Sequence, residues 1–270
     1  GREVVGSNPA SPTMNRPPPP SDPAGVLPSQ AIAAMVAGGE VSADTPVTQA
    51  QIQPASLDLR LGTRGWRVRA SFLAGHGQRV ADRLDLFAMH EIDLGPGAVL
   101  EKGCVYVVPL MEALALPDAV SGVTNAKSST GRLDLLTRVI TDGGEEFDRV
   151  APGYAGPLYA EICPRSFSVL VRPGMRLTQL RFRRGQAVLD DSALRALHAR
   201  ARLVDGGAEV IDGGLAFSVD LRPQAGQLAG WRAKPHTGLI DLDRVNAYDV
   251  AAFWEPVTAE EGRLILDPGA

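Results

Sequence analysis

Cysteine is scarce in this 270-residue chain: Cys104 and Cys163 are the two present, too few for a disulfide framework. No apolar run approaches the length of a membrane span, and no apolar signal-peptide core follows Gly1-Arg-Glu-Val-Val-Gly. A positive excess is absent as well. The net charge is −4, which argues against a broad nucleic-acid surface while leaving room for a local basic pocket. These absences point to the reducing cytoplasm, to no membrane or nucleic-acid partner, and to a small free ligand. Metal-ligand patterns are also lacking. The zinc site of one large class of hydrolases needs a His-x-Glu and a Pro-Cys-x-x-Cys. Here His90 and Glu91 are adjacent and the two cysteines lie far apart, so no zinc ligand is assigned and both cysteines read as core residues.

What is present is ordinary for a soluble globular chain, with 44% hydrophobic and 21% charged residues, long enough for one large or two moderate domains. The first 25 residues, including Arg16-Pro-Pro-Pro-Pro-Ser-Asp-Pro, have little to bury and read as a disordered, Pro-rich leader, with Met14 as a candidate start. Beyond it, Ser29 is placed to cap a short helix through Ala31–Val36 that Gly38-Gly39 stops. Alternating runs at 56–61, 104–110, 158–162, 168–171 and 176–182, separated by Pro/Gly turns, predict strands. With little helix between them, a mainly β body of barrel or jelly-roll type is expected.

One motif stands out. Lys127-Ser128-Ser129-Thr130-Gly131-Arg132 offers two hydroxyls, a Gly and two cations, placed where Arg132-Leu-Asp-Leu-Leu could begin a helix and where Ser128 could cap it. Such a cradle suits a polyphosphate. Some thirty residues on, Glu161 is a lone acid among Leu158, Tyr159, Ala160 and Ile162, and burial raises a carboxyl pKa toward the range useful for proton transfer. On alternation alone, Glu161 could equally be an outward-facing strand residue in a salt bridge.

These residues, in this order, resemble the deoxycytidine triphosphate deaminase family, within the superfamily of trimeric deoxyuridine triphosphatases. Ile52-Gln-Pro-Ala-Ser-Leu-Asp-Leu-Arg-Leu-Gly62, Leu94-Gly-Pro-Gly-Ala98, Leu116-Pro-Asp118 and Val171-Arg-Pro-Gly-Met-Arg-Leu-Thr-Gln-Leu-Arg-Phe182 extend the likeness over residues 26 to 186. The resemblance implies a distorted β-barrel of deoxyuridine triphosphatase type with few short helices. It implies zinc-independent hydrolysis of dCTP to dUTP and ammonia, a step of pyrimidine deoxynucleotide synthesis, with Mg²⁺ carried by the triphosphate. Glu161, Ser128 and Arg132 would be catalytic, and Lys127, Ser128, Ser129, Arg132, Arg149 and Gln179 would hold the nucleotide. A homo-oligomer of trimeric type, with sites between neighbouring barrels, would follow.

One segment departs from the family pattern. Thr141-Asp-Gly-Gly-Glu-Glu-Phe-Asp-Arg-Val-Ala-Pro-Gly153 is several residues longer than the family's loop, and Ala151 stands where an Asp contacting the sugar is expected. A repeat is also visible: Ser56-Leu-Asp-Leu-Arg60 matches Ser218-Val-Asp-Leu-Arg222, Gly65-Trp-Arg67 matches Gly230-Trp-Arg232, and Leu94-Gly-Pro-Gly-Ala98 matches Leu266-Asp-Pro-Gly-Ala270. The expected division is therefore a leader (1–25), a first deaminase-like lobe (26–186) and an incomplete second lobe (187–270). Two alternatives stay open: a dUTP pyrophosphatase or bifunctional deaminase/pyrophosphatase, and a non-catalytic nucleotide-binding assembly lobe.

Overall fold

The computed structural model describes residues 24–185, 188–205, 209–217 and 228–258. Most of the leader and the repeat segments at 218–222 and 266–270 lie outside the described residues. In chain order the elements are β1 (Gly25–Val26), α1 (Ser29–Gly38), β2 (Val41–Ala43), β3 (Ile52–Gln53), β4 (Ser56–Leu59), β5 (Arg64–Val68), α2 (Val80–Phe87), β6 (Ala88–Asp93), β7 (Ala98–Leu100), β8 (Val105–Ala115), β9 (Val120–Ala126), α3 (Ser128–Gly131) and β10 (Leu135–Thr141). There follow β11 (Arg149–Val150), β12 (Ala155–Pro164), β13 (Val169–Val171), β14 (Thr178–Arg184), α4 (Asp191–Arg200), β15 (Leu228–Ala233), β16 (Ile240–Asp241), α5 (Val250–Phe253) and β17 (Trp254–Thr258).

The fold is mainly β, as expected, but the strands do not close into one barrel among the described residues. They form two six-stranded sheets: β11-β9-β14-β4-β3 with β1 on β14, and β10-β12-β8-β5-β6 with β2 on β8. A shared core lies between them, with Leu57, Leu59, Leu180 and Phe182 from the first sheet meeting Val108, Leu158, Ala160 and Ile162 from the second. This two-sheet packing is of jelly-roll type. Because side chains alternate along a strand, the second sheet has another face. There Val107, Ile140 and Tyr159 meet Val68, Phe72, Ala74, Val80 and Leu84 from β5, α2 and the segment joining them, forming a satellite core.

Three local expectations are corrected. Ser29 does not cap α1; it is the first helical residue and Pro28 holds the N-cap position. The Ser29 amide is already bonded to the carbonyl of Pro54 at 2.9 Å, so the chain enters the helix one residue early. Gly39, at φ 86°, ends the helix in the left-handed conformation that glycine adopts at little cost. The helix near Arg132 is α3, one turn that ends where a helix was expected to begin, with Lys127 as its N-cap and no side-chain cap from Ser128. Residues 132–134 turn, Asp134 adopts φ 52°, and Leu135–Thr141 join the ladder with β12. Strand pairing overrides the helical leaning of Arg132-Leu-Asp-Leu-Leu. The expected leader also overlaps the first strand by one residue, since Gly25 pairs with Arg184.

The second half is thinner. Helix α4 buries no residue, and β15 pairs with β17 as a two-stranded ribbon. It is fastened to the first half where β16 runs parallel to β13, and where Ile240 and Phe253 enter the main core.

Candidate functional site

Strand β12 presents Leu158, Ala160 and Ile162 to the main core, so its alternation turns Tyr159 and Glu161 to the opposite face. Glu161 is nonetheless only 2% exposed. Arg138 on β10 stands directly opposite in the register, and its Nη2 donates to Glu161 Oε1. Ser71, on the segment between β5 and α2, donates its hydroxyl to Glu161 Oε2 at 2.7 Å, and Arg138 Nη2 also donates to Ser71 Oγ at 3.0 Å. Glu161 is thus buried and salt-bridged at once, because a covering segment shields an outward strand position. A buried carboxylate with a bonded cation and hydroxyl is a held group able to take and return a proton.

The Lys127 motif sits elsewhere in the same chain. Ser128, Ser129 and Arg132 are exposed, whereas Thr130 is buried. Lys127, Ser129 and Thr130 line a cavity of about 530 Å³ together with Arg172, Arg176, Leu242 and Asp243. Three cations therefore face one space, and two of them share an acid that sequence reasoning did not single out. Asp58, fully buried on β4, pairs with the Lys127 ammonium, lies 3.6 Å from Arg176, and leaves Oδ1 without a partner. Arg172 is held by Asp241 and Asp243 of the second half, each at 2.7 Å. Bonding to Asp241 raises the Arg172 pKa, and the same bond lowers that of Asp241.

The remaining candidates are dispersed. Gln179 on β14 accepts the Ser56 hydroxyl at 3.0 Å. Arg149 lies exposed on β11, 3.3 Å from Glu146, at a second cavity of about 560 Å³ that Ala151 and Tyr154 also line. Glu161 and Arg132 line neither cavity. The structure brings Lys127 and Ser129 together and does not bring Glu161 into that space. Asp148, in the longer loop, accepts from Thr124 Oγ1 at 2.7 Å and the Val139 amide at 2.8 Å, which fixes the loop.

Arg138, Ser71 and Asp58 were missed. Arg138 carried a signal, since it is the lone charge in Leu135–Thr141 as Glu161 is in its own strand. Among the described residues, no three His, Cys, Asp or Glu side chains cluster as metal ligands. Burial pushes the Cys163 thiol pKa up, consistent with a packing role. No helix among the described residues is long and apolar enough to cross a membrane.

With this geometry in place, comparison with known proteins is informative. The family description "2'-deoxycytidine 5'-triphosphate deaminase (DCD) N-terminal domain" matches residues 23–186. Its C-terminal-domain counterpart matches residues 190–270. A protein named "dCTP deaminase, dUMP-forming" from Acidothermus cellulolyticus is 32% identical over 156 residues, covering 57% of this chain and 78% of that protein. One of the same name from Salinispora arenicola is 30% identical, covering 57% and 77%. A crystal structure of 2'-deoxycytidine 5'-triphosphate deaminase from Agrobacterium tumefaciens is 50% identical with a TM-score of 0.84, covering 91% of this chain and 74% of that one.

Proposed function

The chain belongs to the 2'-deoxycytidine 5'-triphosphate deaminase family, and from that premise we propose that it hydrolyses dCTP to a deoxyuridine nucleotide and ammonia. The observation that carries the chemistry is the buried Glu161 held between Arg138 and Ser71. Glu161 takes a proton from the water that attacks cytosine C4, delivers it to N3, and assists departure of the amino group as ammonia. One water is consumed, and dUTP and ammonia leave. Ser71 and Arg138 keep the carboxylate in one orientation through these transfers.

Lys127, Ser128, Ser129 and Arg132 receive the triphosphate, whose Mg²⁺ arrives with the substrate. Arg149 and Gln179 are further nucleotide contacts. Ser128, Ser129 and Arg132 are exposed, and Glu161 lines neither cavity of its own chain, which supports a site completed between copies in a trimer-type assembly. In this reading residues 26–186 form the catalytic lobe and residues 187–270 belong to a second lobe. The enzyme works in the reducing cytoplasm, where Cys104 and Cys163 remain thiols. A second reading comes from the relatives' name: a dUMP-forming enzyme would hydrolyse the triphosphate further and release pyrophosphate.

The test follows ammonia, uridine nucleotide and pyrophosphate together from dCTP and Mg²⁺, for the wild type beside Glu161→Gln. We expect ammonia from the wild type and a loss of about 100-fold or more in the variant. Pyrophosphate released alongside ammonia selects the second reading. Equal ammonia from both proteins removes Glu161 from the mechanism.

A further inference from the structure

The loop between β10 and β11, the segment that is longer than the family pattern, is not a free excursion. Asp142 Oδ1 accepts from the Val80 amide at 2.8 Å, the Gly143 amide donates to Gln78 at 2.7 Å, and the Gly144 carbonyl accepts from Gly75 at 3.0 Å. These bonds join it to the segment that carries Ser71. At its far end Asp148, at φ 62°, returns the chain to β10 by bonding both the amide and the carbonyl of Val139. Between these anchors, Phe147 lays its ring over the Arg138 guanidinium, with 3.7 Å from Cζ to the ring centroid. Arg138 bonds Glu161 and Ser71 through the same Nη2, while its Nε is buried with no acceptor.

We infer that Phe147 is a positioning residue for the deamination proposed above, acting through Arg138 on Glu161. A guanidinium has a flat face and a donor edge. An aromatic ring on the face costs the edge nothing and fixes its plane, which directs Nη2 at the carboxylate and the hydroxyl. Without the ring, the two bonds at one nitrogen do not hold the guanidinium plane, and the carboxylate loses its fixed aim at substrate. The long loop therefore contributes one aromatic wall to the acid–base group, a role separate from any contact with phosphate or sugar. This inference rests on Glu161 being the proton-transfer group.

The test is steady-state ammonia release from dCTP by the full chain carrying Phe147→Ala, Phe147→Leu or Phe147→Trp, with Glu161→Gln as the control. Removing the ring should lower kcat about 10-fold with KM changed less than about 2-fold. Trp should restore kcat, and Leu, apolar without a π face, should not. Combining Phe147→Ala with Arg138→Lys, which retains charge but no planar face, should cost no more than Arg138→Lys alone. Full activity with Leu would show a plain apolar cover, and a change confined to KM would show a substrate contact; either overturns the inference. So does additivity in the double variant, a comparison that holds even if Phe147→Ala lowers stability. If Glu161→Gln is inactive while Phe147→Ala keeps its kcat, this inference fails and the proposed function stands. If Glu161→Gln stays active, this inference falls with the role given to Glu161, while ammonia release still supports the proposed deamination.

Discussion

The tripeptide Gly-Trp-Arg occurs twice, and its two settings differ in what surrounds them. Gly65-Trp66-Arg67 lies in β5, which pairs with β6 on one side and β8 on the other. Gly230-Trp231-Arg232 lies in β15, which among the described residues pairs with β17 alone. In each copy a short helix directly precedes the partner strand, α2 before β6 and α5 before β17, although β16 intervenes after β15 in the second copy. Yet Trp66 is half-buried and packs on the satellite core, whereas Trp231 is 51% exposed. Each Arg finds an acid, Arg67 meeting Glu101 at 3.1 Å and Arg232 meeting Glu255 at 2.6 Å. The same tripeptide thus lies in an antiparallel strand pair in both places. Burial comes from the neighbours: β8 covers one edge in the first copy, and no described strand does so in the second.

The largest expected effect breaks the seam between the halves. Phe167 is 1% exposed and meets Phe253 and Trp254 edge-on, with ring centroids 5.6 and 5.0 Å apart. Phe167→Ala should destabilise the protein by about 3–5 kcal/mol. Hydrogen exchange should show the β15–β17 ribbon losing protection at least as early as the first half. Retained protection there would mean that the second half holds itself together.

A matched pair of smaller effects sharpens the contrast within the repeat. A Cβ at Gly65 would lie 2.8 Å from Val108 Cγ2 and 3.2 Å from the Val107 carbonyl, while one at Gly230 would meet nothing within 4 Å. Gly65→Ala should cost about 1–3 kcal/mol by denaturant titration. Gly230→Ala should stay within about 0.5 kcal/mol. Equal costs would show that the second copy is as tightly enclosed as the first.

The smallest effect is electrostatic and tunes the tie between β13 and β16. Bonding to Arg172 holds the folded Asp241 pKa below its ordinary 3.8. A depressed carboxyl pKa stabilises the fold above the unfolded value, and that stability is lost as pH falls through the folded one. Protection at residues 240–242, taken relative to intrinsic exchange, should therefore fall below pH 3.8 in the wild type and change less in Asp241→Asn. The surface position keeps the effect small. An identical acid response in the variant would show that another group carries it.

Most strands were legible because each has an apolar face against water or a core, and alternation records that directly. The runs at 56–61 and 158–162 correspond to β4 and β12, with ends moved by no more than three residues. The helix at Arg132 was misplaced because local propensity speaks to one segment, while Leu135–Thr141 is held by seven register partners on β12. Glu161 was found as a lone acid in an apolar strand. Arg138, a lone base in the adjacent strand, was missed because pairing register is not a local property. The loop was read as longer than the family pattern, but nothing in its composition placed Phe147 over a guanidinium.

Composition and alternation alone establish a β-rich chain and an acid in an otherwise apolar strand, since each depends on residues within a few positions of one another. The company that acid keeps required the folded chain. Arg138 is 23 positions from Glu161 and Ser71 is 90, and only strand register and loop packing bring such distant residues within hydrogen-bond reach. Burial of the acid has the same origin, because alternation selects the face of a strand and the rest of the chain decides whether water reaches it.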